Sequence, residues 1–181
     1  IGEILWENGR VVKIEFGESC NTISSLPENF GNLEELSILI IEDQDLTFLP
    51  ISIGNLNNLT ELHIHGGDIT SVPNTIGNLS NLINFHIRCD LVSLPTSIYY
   101  LSNLEKLSIP WNEFTTLPED IVNLTNLDTL DVSHNALQSI PNNICDLPSS
   151  TFINLSGNEL CDEYYYDCID NMSQQQQAGC P

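Results

Sequence analysis

The residues that could do chemistry are few, and they keep a spacing. His63 and His65 lie two apart, and 23 residues later His86 and Arg88 stand in the same relation. Lys106, Trp111, Asp131 and His134 follow along the chain. Three chemistries could use such groups. His63, His65 and His86 with Glu42 or Glu61 have the donor types of a tetrahedral zinc site. Ser133 and His134 bring a hydroxyl and an imidazole together in sequence, as a nucleophile and its base would need. Cations, imidazoles and an indole on one surface would make a recognition patch.

The first two chemistries find little support. Adjacent residues of an extended chain point to opposite sides, so Ser133 and His134 do not face each other. No nucleophile elbow or phosphate-binding loop occurs. No catalytic residue, cofactor or enzymatic activity is therefore expected. The three histidines fall on parallel strands, and flat strands rarely aim ligands at one point, so no native metal is expected.

Composition narrows the classes further. The chain has 181 residues, 41% of them hydrophobic, enough to fold around a sizeable core. It carries 25 Asp and Glu against four Lys and Arg, a net charge of −21. That sign is wrong for nucleic acid and for an anionic membrane surface. No apolar run approaches the roughly 20 residues of a membrane span, so direct insertion is not expected. The chain opens on Ile1 without a visible leader, which is read as a trimmed or mature terminus.

The elements that must position these groups repeat. Phe30, Ile53, Ile76, Ile98, Ile121 and Ile144 recur in steps of 22 or 23 residues, and Pro27, Pro50, Pro73, Pro95, Pro118 and Pro141 keep the same step. Each unit reads roughly IGNLxNLxxLxIxxNxLTSLP, as in "IGNLNNLTELHIHGGDITSVP". Leu62-His63-Ile64 alternates as a strand does, and the "PxxIxxL" portion has helical spacing. One such unit cannot bury its apolar side alone; stacked copies can. Asn21, Asn112, Asn135 and Asn158 recur where the chain leaves the strand, and a buried amide there can satisfy backbone groups of the turn and of the next unit. Gln44, Gly67 and Asp90 replace that Asn, and the Asp90 unit is one residue short, so local irregularity is expected after the strands at 62–64 and 85–87.

These residues resemble the leucine-rich repeat family, closely over 30–160 and in degenerate form over 10–29, where Ile14, Phe16, Asn21, Ile23 and Leu26 take core positions. The resemblance implies an α/β fold, a right-handed solenoid. About seven short parallel strands would line its concave face, with short helical or 3-10 turns on the convex side. It divides the chain into an N-terminal cap with a first degenerate unit (1–29), the repeats (30–160) and a disulfide-stapled cap and tail (161–181). "ILWENGRVVKIEF", with Trp6, is expected to cap one end. Tyr99 and Tyr100 are expected to cover core on the convex side. The polar "SQQQQAGCP" reads either as a tail held by Cys180 or as a linker. Four sequons, at Asn58, Asn78, Asn123 and Asn154, fall out of the repeated "NL[ST]" itself, and Asn171 begins a fifth.

Function should then lie in what varies on the concave face. The residues between core positions form 28 places. All four His, three of the four Lys and Arg and one of the two Trp fall among them. A single strand histidine needs no function; this concentration does. Partner contacts are expected from His63, His65, His86, Arg88, Lys106, Trp111, Asp131 and His134. Acidic surroundings are expected to favour charged histidines, so that binding changes between pH 7 and 5. Ile38 and Ile40 stay open between burial and an exposed anchor. The reading is a non-enzymatic, monomeric module binding a protein or peptide; the alternative is a structural or adhesive spacer of a larger surface protein.

Six cysteines, four of them at Cys145, Cys161, Cys168 and Cys180, point to an oxidising, extracellular or cell-surface setting. Cys145 and Cys168 are one repeat apart, and a coil spacing of about 4.8 Å lies within disulfide reach. Cys145–Cys168 with Cys161–Cys180 is therefore expected, with Cys145–Cys161 as competitor. Cys89 is expected to be a free thiol, and Cys20 too unless a partner lies upstream.

Overall fold

A computed structural model describes residues 2–17, 23–42, 45–160 and 168–169. Strands β1 (Glu3–Glu7) and β2 (Arg10–Phe16) form an antiparallel hairpin. Asn8 and Gly9 close it with φ of 51° and 79°, the left-handed pair that a two-residue turn requires. Then come β3 (Ile38–Glu42), β4 (Glu61–His65), β5 (Asn84–Arg88), β6 (Lys106–Ser108), β7 (Thr129–Asp131) and β8 (Phe152–Asn154). Strand order follows chain order, and β2 to β8 pair in parallel, seven such strands among the described residues.

The period-2 alternation sets the faces. Leu39, Leu62, Phe85, Leu107, Leu130 and Ile153 share one register row and are 3% exposed or less. Their sequence neighbours form the opposite face. Ile41, Ile64 and Ile87 make a second buried row. The core thus runs unbroken along the coil axis.

On the convex side the chain makes 3-10 turns, Glu28–Asn32, Ile51–Asn55, Asn74–Asn78, Thr96–Tyr100 and Glu119–Asn123, each directly after a proline, and then Ile144–Asp146. Proline fits there because the first N–H of a turn has no partner to lose. The Ile53 N–H donates to Pro50 O at 3.0 Å, and the Leu56 N–H to Ile53 O at 3.2 Å. Five residues are too few for an α-helix, so the helical spacing resolves as one tight turn.

Gly54 explains the recurrent "IGN". A Cβ built there would meet the Thr75 carbonyl oxygen of the next coil at 2.2 Å. Backbone that close cannot yield cheaply. Gly54→Ala is expected to destabilise the protein by about 1–3 kcal/mol, the usual range for overpacking, measured by urea unfolding. Stability equal to the parent would contradict the close stacking of these turns.

Buried asparagines form a second ladder. Asn112 accepts from the Cys89 and Leu91 N–H groups, both at 3.1 Å, and donates to Ile87 O at 2.9 Å. Asn135 accepts from Phe114 N–H, and Asn158 from Leu137 N–H. Each amide reaches the preceding coil, not the following one as the spacing alone implied. The two departures change the path. Gly66 and Gly67 take φ of 86° and 79°, whereas Cys89 turns inward and is 7% exposed.

The ends differ from expectation in part. Trp6 is 61% exposed and every residue of β1 faces solvent, so the opening core is covered by Ile14 and Phe30 rather than by Trp6. Tyr99 is buried, and burial raises its pKa; Tyr100 is 66% exposed and covers nothing. Cys145 and Cys168, 23 residues apart, are joined with Cα atoms 5.7 Å apart, the pairing that one coil of offset favours over Cys145–Cys161. Cys20 and the pair Cys161–Cys180 lie outside the described residues. Among the described residues no helix is long and apolar enough to cross a membrane.

Candidate functional site

The concave face is a grid. One row runs Glu15, Ile40, His63, His86, Ser108, Asp131 and Asn154; beside it stand Glu42, His65 and Arg88, and Lys13, Ile38, Glu61, Asn84, Lys106, Thr129 and Phe152. Ile38 and Ile40 are half-buried within these rows, flanked by Lys13 and Glu61 and by Glu15 and His63. Cys89, Pro110 and Ser133 fall among the 28 places between core positions, yet they are buried and not presented on this face. Cys89 is a free thiol; its S–H donates to Gly66 O at 3.0 Å, and burial, with Asp90 nearby, pushes its pKa up to about 12.

Two groups gather on the grid. In the first, the His63 and His86 rings meet edge-on with centroids 5.6 Å apart, and His86 Nδ1 lies 2.9 Å from Ser108 Oγ. His63 Nε2 is 3.1 Å from Glu61 Oε1, within ion-pair range but without hydrogen-bond alignment. The second is a stack. The Trp111 and His134 rings lie nearly parallel, 11° apart with centroids at 4.0 Å. The Arg88 guanidinium sits 5.0 Å from the Trp111 ring, in cation–π range. Trp111 and His134 occupy left-handed turns with φ of 56° and 53°, where Gly66 and Gly157 stand in other coils. A Cβ on Gly157 would come within 2.5 Å of His134 Nδ1, so its absence seats that ring.

Lys106 and Asp131 share the face but join neither group. Lys106 has no ion pair among the described residues, and Asp131 accepts from the Ser133 N–H at 3.0 Å, closing its own turn. The stack was missed in the sequence although a signal exists: Arg88, Trp111 and His134 are spaced by 23 across the shortened unit. Among the described residues no group of three or more His, Cys, Asp and Glu could hold a metal ion.

His86 also corrects the expectation of charged histidines. Its pKa is lowered, first by burial, then by His63 and His65 on β4 and by Arg88; Asp131 on β7 opposes this. Neutral His86 in the folded state means that the unfolded state binds the extra proton. Stability from this group is full above the unfolded value of about 6.5 and is lost as pH falls toward the lower folded value. Between pH 7.5 and 5.5 the protein should therefore lose more stability than His86→Gln, measured as the difference of two urea titrations. Equal losses would contradict the burial argument.

A family model described as a leucine-rich repeat region matches residues 10–113, and a second, leucine rich repeat, matches 102–160. This chain is a leucine-rich repeat protein. Among solved structures, the domain is similar to a Leptospira interrogans leucine-rich repeat protein, with 35% identity, a TM-score of 0.69, and coverage of 77% of this chain and 36% of that one. It is also similar to the ectodomain of the Arabidopsis thaliana receptor kinase GASSHO1/SCHENGEN3 in complex with CASPARIAN STRIP INTEGRITY FACTOR 2. There identity is 25% and the TM-score 0.71, over 84% of this chain and 19% of that one. The plant peptide hormone receptor RGFR1 in complex with RGF2 aligns at 28% identity and TM-score 0.68, over 80% of this chain and 25% of that one. The leucine-rich repeat domain thus spans between about a fifth and a third of the length of these neighbours. A comparison with curated proteins finds no match.

Proposed function

We propose that this leucine-rich repeat domain is a non-enzymatic recognition module that binds a protein or peptide along its concave face. The observation that carries the reading is the concentration of groups on β4 to β6 and in the turns that follow β6 and β7. His63, His65, His86, Arg88, Lys106, Trp111 and His134 stand on one face of a protein whose other surfaces are acidic. A patch rich in Arg, Trp and imidazole has the composition of an interface centre. Two structural neighbours were captured with ligands, which agrees with binding as the use of such a scaffold. The module acts as a monomer in an extracellular or cell-surface setting, where the Cys145–Cys168 disulfide persists. The spacer reading explains the solenoid but gives no reason for this patch.

Capture from the native surroundings tests the proposal. The parent domain should retain a partner that a His86/Arg88/Trp111 triple-alanine variant releases, while Tyr100→Ala on the convex side retains it. Capture indifferent to the concave substitutions would leave only the spacer.

A further inference from the structure

We propose that the concave face takes its ligand by a carboxylate, received by the guanidinium of Arg88. This deepens the reading above and rests on it. The chain has 25 acidic residues for four Lys and Arg, so a cation on it should find a carboxylate with ease. Arg10 pairs with Glu35, and Lys13 lies 3.0 Å from Glu3 and 2.8 Å from Glu15. Arg88 and Lys106 make no ion pair with any described residue, and both lie mid-face, on β5 and β6. Against more than six acids per cation, two uncommitted cations on neighbouring strands form a receptor for a negative group supplied from outside.

Arg88 is also held. Its guanidinium rests against Trp111, Trp111 stacks on His134, and His134 lies where Gly157 leaves room. Trp111 and His134 occupy left-handed backbone, a conformation that non-glycine side chains rarely adopt. A cation–π contact orients the guanidinium without consuming its N–H donors, and no side-chain hydrogen bond to a described residue consumes them either. A planar fork of free donors matches a carboxylate bidentately.

The surroundings select among anions. Glu15, Glu42, Glu61 and Asp131 lie on the same grid, and the whole chain carries −21. A polyanion would be repelled along its length. An extended peptide with one or two carboxylates among neutral or basic residues would not. The occupant is therefore a peptide segment of that kind, its carboxylate coming from an Asp or Glu side chain or from a chain terminus.

Selection of short random peptides on the parent domain supplies the probe. Changing each selected peptide's Asp and Glu to Asn and Gln, or amidating its terminus, tells the two carboxylate sources apart. One of these changes should weaken binding by about tenfold or more, the loss of a charge-assisted hydrogen bond. The same change should matter little on Arg88→Gln, which has already lost the partner group. Arg88→Lys should fall between, keeping charge but not the fork. Trp111 is a positioning residue, so Trp111→Phe should keep most of the affinity that Trp111→Ala loses. Peptides that bind the concave face yet ignore both changes would overturn the carboxylate and leave the recognition reading standing. Tight binding of a sulfated polysaccharide would overturn it too. A library that yields no binder, or binders indifferent to every concave substitution, would sink both.

Discussion

Replacing Asn112 by Leu is expected to destabilise the domain by about 4 kcal/mol, more than any other single change in the asparagine ladder. The reason is a count of orphans. Asn112 Oδ1 accepts two buried N–H groups, from Cys89 and Leu91, and no other acceptor among the described residues reaches them. Each buried donor left unpaired costs about 1–3 kcal/mol. Asn135→Leu should cost about half as much. It orphans only the Phe114 N–H, because Ile109 O keeps Asn112, Val132 O keeps Asn158, and Ser133 O keeps the Trp111 N–H. Urea unfolding of the two variants checks both size and order. A larger loss for Asn135→Leu would show that donor satisfaction is not what the ladder supplies.

The second large effect is on binding. The triple variant His86→Ala, Arg88→Ala, Trp111→Ala should lose about a hundredfold or more in affinity for the captured partner, as removal of clustered Trp and Arg contacts does. The fold should survive. Arg88 and Trp111 are exposed, and neither belongs to the buried rows. Circular dichroism should match the parent, and affinity should be read by titration on immobilised partner. Unchanged affinity with matching spectra would remove the patch from the account.

Much of the scaffold was legible because repetition states it many times over. The 23-residue step places the parallel strands and their lateral neighbours, and it sets Cys145 over Cys168. What the step does not encode is where a turn departs from it. By register Cys89 stands beside Gly66 on the concave face, yet in its unit, which is one residue short, it is buried. The Arg88–Trp111 contact crosses that shortened unit, whereas Trp111 and His134 stack across a full 23-residue step. Trp6 misled for a different reason. An aromatic in an opening strand reads as a cap, yet β1 has no layer behind it, and its side chains face solvent on both sides. His86 misled because net charge acts at long range and is screened, whereas burial and neighbouring imidazoles act on contact.

The concave face carries its own reporters, since all four histidines of the chain lie on it and Trp111 is 51% exposed. Trp6, 61% exposed on β1 at the far end, serves as an internal control. Covalent footprinting of histidine and tryptophan, with and without the captured partner, therefore reads the face directly. Binding there predicts that His65, His134 and Trp111 become protected while Trp6 reacts as before. Equal modification of His65, His134 and Trp111 in the free and bound domain would contradict it.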